Sequence, residues 1–165
     1  MKKILLIRHA KSDWSISGLS DIDRPLNQRG YTDAHKTGVH LRDKISGKKL
    51  FVSSPAIRAI STALIIAREI NYPQENISLH PELYEAEASD YENLILSIDD
   101  RFDAVYIFGH NPIISHVIGQ LCNNPVSEVP TCSVSVLNFQ AERWSETIKS
   151  NATLEMQIFP KFLIE

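Results

Sequence analysis

Near its start the chain reads Ile4-Leu5-Leu6-Ile7-Arg8-His9, four branched apolar residues that run directly into an arginine and a histidine. An apolar run of this length between polar residues predicts a short strand that is buried on both faces, as in a parallel sheet. In open α/β sheets, ligands bind beyond the carboxyl ends of such strands. Arg8 and His9 therefore occupy the position where a parallel sheet places its chemistry.

Two further apolar runs repeat this arrangement. Residues 50–52 predict a second buried strand, which ends in Ser53-Ser54-Pro55, and residues 104–108 predict a third, which ends in Gly109-His110-Asn111-Pro112. Apolar residues at helical spacing follow each of these strands. Strands that alternate with helices are typical of an α/β fold, so the sequence predicts a three-layer αβα sandwich around a mostly parallel central sheet.

The rest of the chain supplies further elements of the same kind. Asn27 is predicted to cap the first helix, and Ser54 and Pro55 to cap and begin the second. Gly30, in a first helical turn, indicates close backbone packing, and Trp144 is predicted to anchor the connection between the last two strands. The predicted helices cover about 28–45, 55–70, 91–98 and 113–121, and the remaining strands 77–80, 132–139 and 152–159.

The composition is that of a globular protein, with 43% hydrophobic and 22% charged residues, and the length predicts one domain over residues 1–165. A net charge of −3 argues against binding to nucleic acid or to an anionic membrane. The first apolar run ends at Arg8, too early for a signal peptide, and no run approaches the roughly 20 apolar residues that cross a bilayer. Because Cys122 and Cys132 form no disulfide framework, we expect a reduced, cytoplasmic protein.

If the three apolar strands are neighbours, Arg8, His9, Arg58 and His110 meet at one edge of the sheet. Such a pocket is small, cationic and free of metal, which suits a phosphoryl group. Neutral imidazole can attack phosphorus and hold the group transiently. Guanidinium groups neutralise the equatorial oxygens in the transition state, and His110, if protonated, adds another donor.

Five motifs stand at or near the predicted strand ends and helix starts. They are Arg8-His9-Ala10-Lys11-Ser12-Asp13-Trp14, Asp23-Arg24-Pro25-Leu26-Asn27-Gln28-Arg29-Gly30, Ser53-Ser54-Pro55-Ala56-Ile57-Arg58-Ala59, Leu83-Tyr84-Glu85-Ala86 and Gly109-His110-Asn111-Pro112. This ordered set resembles the histidine phosphatase superfamily, which also contains the phosphoglycerate mutases, and most resembles its SixA-type phosphohistidine phosphatases. The resemblance implies a phosphoglycerate mutase-like fold, no cofactor, phosphorylation of His9 during turnover, and a phosphate pocket formed by Arg8, Arg58 and His110.

The resemblance also bears on the proton donor. Family members that cleave alkyl phosphates protonate the leaving group with a carboxylic acid from the loop before the third buried strand. Glu85 matches that position best, and Glu82 and Glu87 are close enough to remain alternatives. A phosphoramidate depends less on such an acid, because its leaving nitrogen can itself be protonated.

Three residues near the first motif are candidates for substrate binding. Arg24 either binds the substrate phosphate or pairs with Asp21 or Asp23. Ser12 and Trp14 are predicted to line the mouth of the pocket, with packing on the following loop as the alternative for Trp14.

The leading hypothesis is a metal-independent phosphatase acting on a phosphorylated protein, such as a histidine phosphotransfer domain, or on a small phosphomonoester. A phosphoglycerate mutase-like phosphotransferase and a non-catalytic phospho-binding module are the alternatives. A serine hydrolase using Ser53 or Ser54 lacks the GxSxG motif, and both serines are explained as cap and turn residues. No HxxxH or paired-cysteine spacing indicates a metal site.

Overall fold

The computed structural model describes residues 1–164, and its centre is one sheet of six strands. In chain order the strands are β1 (Lys2–Arg8), β2 (Lys49–Ser53), β3 (Ser78–Leu79), β4 (Ala104–Gly109), β5 (Val134–Phe139) and β6 (Thr153–Ile158). Across the sheet their order is β3-β2-β4-β1-β5-β6. Only β5 runs against the others, since it pairs antiparallel with both β1 and β6. The predicted mostly parallel sheet is confirmed.

Helices cover both faces of the sheet. They are α1 (Gln28–Leu41), α2 (Ile57–Glu69), α3 (Ala88–Ser97), α4 (Ile113–Leu121) and α5 (Trp144–Thr147). Successive side chains of a strand point to opposite faces. Leu5 accordingly packs in a core cluster with residues of α1 and α2, and Leu6 packs in a second cluster with residues of α3, α4 and α5. The predicted three-layer αβα architecture is therefore confirmed.

The first helix begins as predicted but ends earlier. The Asn27 side chain accepts a hydrogen bond of 2.9 Å from the backbone N–H of Gly30, which confirms the N-cap. The prediction that the helix reaches Ile45 is wrong, because the chain leaves the helical conformation at Arg42 and Asp43 has a φ of 61°. Ile45 lies in the turn that follows the helix and is still buried. Its apolar side chain therefore continues the helical spacing in the sequence beyond the point where the helix ends.

The second helix begins two residues later than predicted. Ala56 occupies the N-cap position and Ile57 is the first helical residue, so neither Ser54 nor Pro55 has the position expected for it. The hydroxyl oxygen of Ser54 accepts a hydrogen bond of 3.2 Å from the backbone N–H of Ala56. It also contacts His110, on the far side of the turn.

Two predicted packing contacts are confirmed. A Cβ atom on Gly30 would lie 2.2 Å from the backbone oxygen of Lys11, so only glycine allows α1 to approach the segment that follows His9. Trp144 is fully buried, and its indole N–H donates a hydrogen bond of 3.1 Å to the backbone oxygen of Phe102. Within residues 1–164, no helix is long and apolar enough to cross a membrane.

Candidate active site

The three strands that carry the predicted site are neighbours. β4 lies between β2 and β1, and all three run parallel. The backbone N–H of His9 donates to the oxygen of Gly109 at 3.0 Å, and that of Ser54 donates to the oxygen of Phe108 at 2.9 Å. His9, Ser54 and His110 therefore follow adjacent strand ends at one edge of the sheet, where parallel sheets bind ligands.

His9 is buried and held in one tautomer. Its Nδ1 lies 2.7 Å from the backbone oxygen of Ala10, and a carbonyl oxygen can only accept, so Nδ1 carries the proton and Nε2 keeps its lone pair. The pKa of His9 is lowered to about 3, chiefly by burial and also by the nearby His110, Arg58 and Arg8, while the hydrogen bond to Ala10 acts in the opposite direction. The ring is therefore neutral at pH 7 and has a free nucleophilic nitrogen.

His110 lies beside His9, with a distance of 5.2 Å between the ring centroids. Its Nε2 is 2.8 Å from the hydroxyl oxygen of Ser54. Burial lowers the pKa of His110 to about 4, and the charges of Arg58, Arg8 and Arg24 act in the same direction. The ring is therefore neutral at pH 7, and the protonated form considered from the sequence would need the charge of a bound anion.

Two arginines complete the predicted pocket. Nη1 of Arg8 donates to the backbone oxygen of Val129 at 2.8 Å. Arg58 donates from Nη1 to the backbone oxygen of Asp21 at 2.6 Å and from Nη2 to the Asp21 carboxylate at 2.9 Å. The Nε atoms of both arginines and Nδ1 of His110 are buried and have no hydrogen-bond partner among residues 1–164. Buried polar groups left unpaired are costly, so this cluster indicates a binding site for an anion that accepts several hydrogen bonds.

A carboxylate, that of Asp21, lies in the same pocket. Besides the contacts from Arg58, it accepts hydrogen bonds from the Tyr84 hydroxyl at 2.7 Å and from Nε and Nη2 of Arg24 at 3.1 Å and 2.9 Å. The hydrogen bond from Tyr84, with those from Arg24 and Arg58, holds the pKa of Asp21 well below its ordinary value. Sequence reasoning considered Asp21 only as one of two partners for Arg24, and its proximity to Arg24 in the chain was the only signal.

Arg24 pairs with Asp21 rather than Asp23. Its Nη1 donates to the hydroxyl of Ser12 at 2.5 Å, and its guanidinium lies 3.5 Å from the ring centroid of Trp14. The Trp14 side chain is exposed, whereas Ser12 is buried. Substrate binding by these three residues stays a prediction.

The three candidate glutamates differ in their surroundings. The Glu82 carboxylate lies 2.8 Å from Nδ1 of His80, and Glu87 caps α3. Glu85 is exposed, and it lines a depression of about 380 Å³ together with His110. The geometry favours Glu85 among the three, and its role as an acid stays a prediction.

The serine hydrolase alternative is disfavoured by burial. Ser53 and Ser54 are fully buried, and the Ser53 hydroxyl donates to the backbone oxygen of Ser54 at 2.9 Å. Across residues 1–164, no group of three or more His, Cys, Asp or Glu side chains could hold a metal ion.

Comparison with known proteins places this geometry in a family. The family model of the histidine phosphatase superfamily (branch 1) matches residues 4–106. An uncharacterized chloroplastic protein of Arabidopsis thaliana is 27% identical over 153 residues, which cover 88% of this chain and 70% of that protein.

Solved structures agree with this match. One named as the phosphohistidine phosphatase SixA of Agrobacterium tumefaciens is 25% identical, with a TM-score of 0.81 over 96% of this chain and 98% of that chain. One named as an alpha-ribazole-5'-P phosphatase of Escherichia coli is 18% identical, with a TM-score of 0.68 over 99% of each chain. The phosphoglycerate mutase-like fold is thus confirmed, and since the matched range carries both His9 and Arg58, the chain belongs to the histidine phosphatase superfamily.

Proposed function

We propose that this protein is a phosphatase that takes a phosphoryl group onto Nε2 of His9 and then hydrolyses the phosphohistidine. The observation that carries the proposal is a neutral imidazole with a free Nε2, placed beside buried N–H groups that have no partner. A nucleophile for phosphorus and donors for its oxygens are the two parts that phosphoryl transfer needs.

In the first step the phosphoryl oxygens accept hydrogen bonds from Arg8, Arg58 and His110. The lone pair of His9 Nε2 attacks phosphorus in line with the leaving group. An N–P bond forms, and the bond from phosphorus to the leaving oxygen or nitrogen breaks. For an ester we propose that Glu85 protonates the leaving oxygen, whereas the leaving nitrogen of a phosphohistidine can be protonated directly.

In the second step a water molecule attacks phosphorus on the face that the leaving group has vacated. Glu85, now a carboxylate, takes a proton from the water in the ester reaction. The N–P bond breaks, its electron pair returns to His9, and inorganic phosphate leaves. Because the ring starts and ends as the same neutral tautomer, no other group is needed to reset His9.

For the substrate we propose phosphohistidine on a protein, such as a histidine phosphotransfer domain. The likeness to the A. tumefaciens SixA structure supports this choice, and the exposed Trp14 offers a surface for a protein. A small phosphomonoester is the second candidate, supported by the likeness to the E. coli structure, which at 18% identity concerns the fold alone.

The test compares wild type with His9→Ala on a phosphorylated histidine phosphotransfer domain, phosphoramidate and p-nitrophenyl phosphate. We expect wild type to release phosphate from at least one of them and His9→Ala to release none above background. Quenching wild type in alkali during turnover should trap phosphohistidine, which is stable to base, and His9→Ala should trap none. Equal release by the two proteins would contradict the proposal.

The same experiment separates the alternatives. A mutase would hold the phosphohistidine after the substrate is exhausted and pass it to an added alcohol, whereas a phosphatase loses it to water. A binding module would bind inorganic phosphate through the same arginines and release none from any substrate. The ratio of kcat/KM values for the protein and the small ester then identifies the preferred substrate.

A further inference from the structure

Asp21 puts a negative charge inside a pocket that is otherwise built from arginines and neutral imidazoles. Its Oδ2 accepts hydrogen bonds from Arg58 and from the Tyr84 hydroxyl, and its Oδ1 accepts two from Arg24. Both arginines thus direct N–H groups at a carboxylate of the protein itself. The mechanism proposed above uses the charge of Arg58 but gives Asp21 no role.

Asp21 is placed to contact the leaving group rather than the transferred phosphoryl group. Its side chain is 49% exposed, whereas that of Arg58 is only 6% exposed and His9 is 9% exposed. Attack in line sends the leaving group away from His9. Since His9 lies deep in the pocket, the substituent on the phosphoryl group must leave through the mouth, where Asp21 lies.

Arg24 offers little attraction to a second anion at this mouth. Its Nε and Nη2 donate to Asp21, its Nη1 donates to Ser12, and the face of its guanidinium stacks on Trp14. An anionic substituent that approaches Arg24 meets a guanidinium whose charge is already balanced by Asp21. Because hydrogen bonds from Tyr84, Arg24 and Arg58 keep the pKa of Asp21 low, its charge is present throughout the neutral pH range.

We propose that Asp21 is a specificity-determining residue that selects against substrates carrying a second anionic group beside the phosphoryl group. The inference rests on the proposed phosphatase function and deepens it. A leaving group that is neutral, or that becomes cationic on protonation, as imidazole and amines do, meets no repulsion from the carboxylate. A leaving group that carries a carboxylate or a second phosphate is repelled by Asp21 and finds Arg24 already paired.

The test uses two substrates that differ in charge and little else, 3-carboxyphenyl phosphate and 3-carbamoylphenyl phosphate. The measured quantity is the ratio of kcat/KM for the amide to kcat/KM for the acid. Any effect of Asp21 on the phosphoryl group itself is common to both substrates and cancels in this ratio. We expect wild type to prefer the amide and Asp21→Asn to lower the ratio by roughly 3- to 100-fold, as for charges about 6 Å apart at effective dielectric constants between about 80 and 20.

Asp23→Asn is the matched control. Asp23 belongs to the same short 3-10 helix, Asp21–Asp23, but its carboxylate accepts its hydrogen bond from Ser20 and none from Arg58 or Tyr84. Its substitution removes one negative charge from the same turn and should leave the ratio within twofold of wild type. Asp21→Glu, which keeps the charge, should keep most of the preference.

Binding measurements keep the test independent of turnover. The matching phosphonates, phenylphosphonates with a 3-carboxyl or a 3-carbamoyl group, are not hydrolysed, and their dissociation constants can be measured by calorimetry on folded protein. Asp21→Asn should improve binding of the acid relative to the amide by the same factor. Unchanged ratios in both measurements would overturn the proposal for Asp21, whereas failure of wild type to hydrolyse any substrate would overturn only the proposed function.

Discussion

Hydrogen bonds give the two neutral imidazoles of the pocket opposite functions. His9 donates from Nδ1 to a carbonyl oxygen and so presents a lone pair at Nε2. His110 contacts the Ser54 hydroxyl through Nε2 and leaves Nδ1 buried without a partner. Because Ala56 donates to the Ser54 oxygen, the hydroxyl proton of Ser54 must point elsewhere, and we expect it to go to Nε2 of His110. His110 then carries its own proton on Nδ1 and presents a donor without being charged.

We therefore predict that Ser54→Ala lowers activity. The substitution leaves Nε2 of His110 buried and unpaired, at a cost of about 1–3 kcal/mol, which corresponds to a loss of roughly 5- to 150-fold in kcat/KM if it falls on the transition state. The measurement is kcat/KM for phosphoramidate across pH. Ser54→Thr, which keeps the hydroxyl, should restore activity.

Ser53→Ala is the control for this prediction. Ser53 is buried like its neighbour, but its hydroxyl donates to the backbone oxygen of Ser54 and has no hydrogen bond with either histidine. Its loss should change stability more than kcat/KM. Equal kinetic losses in Ser53→Ala and Ser54→Ala would mean that the Ser54 contact has no particular role.

A second prediction concerns Arg58, whose guanidinium is almost fully buried beside both histidines. Arg58→Ala should lower kcat/KM by roughly 10²–10³-fold, as expected for loss of a preorganised donor that stabilises developing charge. Arg58→Lys should recover only part of this loss, because lysine keeps the positive charge but lacks the planar guanidinium that can donate two parallel hydrogen bonds. Arg68→Ala, at the exposed end of α2, is the matched control. A loss below about threefold in Arg58→Ala would remove Arg58 from the pocket.

Sequence patterns identified the site residues that directly follow strands, but they did not identify Asp21, which follows no strand directly. His9 and His110 come directly after apolar runs, and a strand end is a position that the alternation of strands and helices predicts. Asp21 begins the single-turn 3-10 helix Asp21–Asp23 in the connection between β1 and α1, 37 positions before Arg58 and 63 before Tyr84 in the chain. No periodic pattern marks such a residue, so its partners become visible only in the folded chain.

Among the helices, α1 and α2 approach each other at a glycine. A Cβ atom on Gly38 would lie 2.7 Å from Cβ of Glu69 and 3.2 Å from the backbone of Ile66. Glu69, on α2, also pairs with His35 and Arg42, which belong to α1 and its C-cap. The close approach therefore joins the two helices through both packing and charge.

We predict that Gly38→Ala destabilises the protein. Alanine improves helix propensity by up to about 1 kcal/mol, but overpacking at this contact costs about 1–3 kcal/mol and requires the helices to separate. Gly119→Ala, in α4, is the control, because its Cβ would meet Pro125 at an ordinary 3.4 Å. Urea unfolding followed by circular dichroism should show a lower free energy of unfolding for Gly38→Ala and an equal or higher one for Gly119→Ala. Stabilisation by both would contradict the close approach.

Two helix boundaries were predicted wrongly where a side chain serves a different purpose from the one its local pattern indicates. Ser54 resembles an N-cap in the sequence, but its hydroxyl bridges Ala56 and His110, and the helix begins only at Ile57. Ile45 continues the apolar spacing of α1 from a turn. In both cases the side chain contacts residues that are distant in the chain, and the local pattern contains no information about those contacts.

For the whole molecule, the sheet order brings the pocket together. β2, β4 and β1 are neighbours although they are far apart in the chain, and this order gathers Arg8, Arg58 and His110 at one edge. The class of fold was predicted from the sequence, but the order of the strands was not, and the meeting of these residues was predicted only on the assumption that the three strands are neighbours. Strand pairing depends on how the helices cover both faces, which is a property of the complete chain.

Gathering these groups should also make stability depend on pH. Burial holds the pKa of His9 at about 3 and that of His110 at about 4 in the folded protein, whereas an imidazole in the unfolded chain has a pKa of about 6.5. Below about pH 6.5 the unfolded state therefore binds more protons than the folded state. The free energy of unfolding must then fall as the pH falls, by up to about 1.4 kcal/mol per pH unit for each imidazole.

The last prediction isolates this contribution from that of the carboxylates. Urea unfolding in phosphate-free buffers between pH 8.5 and pH 4.5 should show a steeper loss of stability on acidification for wild type than for the double variant His9→Asn, His110→Asn. Each single variant should remove part of the difference, because each removes one imidazole that stays neutral only when folded. Above about pH 7 the slopes should coincide, since both imidazoles are then neutral in both states. Parallel curves for wild type and the double variant over the whole range would mean that the two rings titrate alike in the folded and unfolded states, and the pocket would then not favour the neutral nucleophile that the proposed reaction requires.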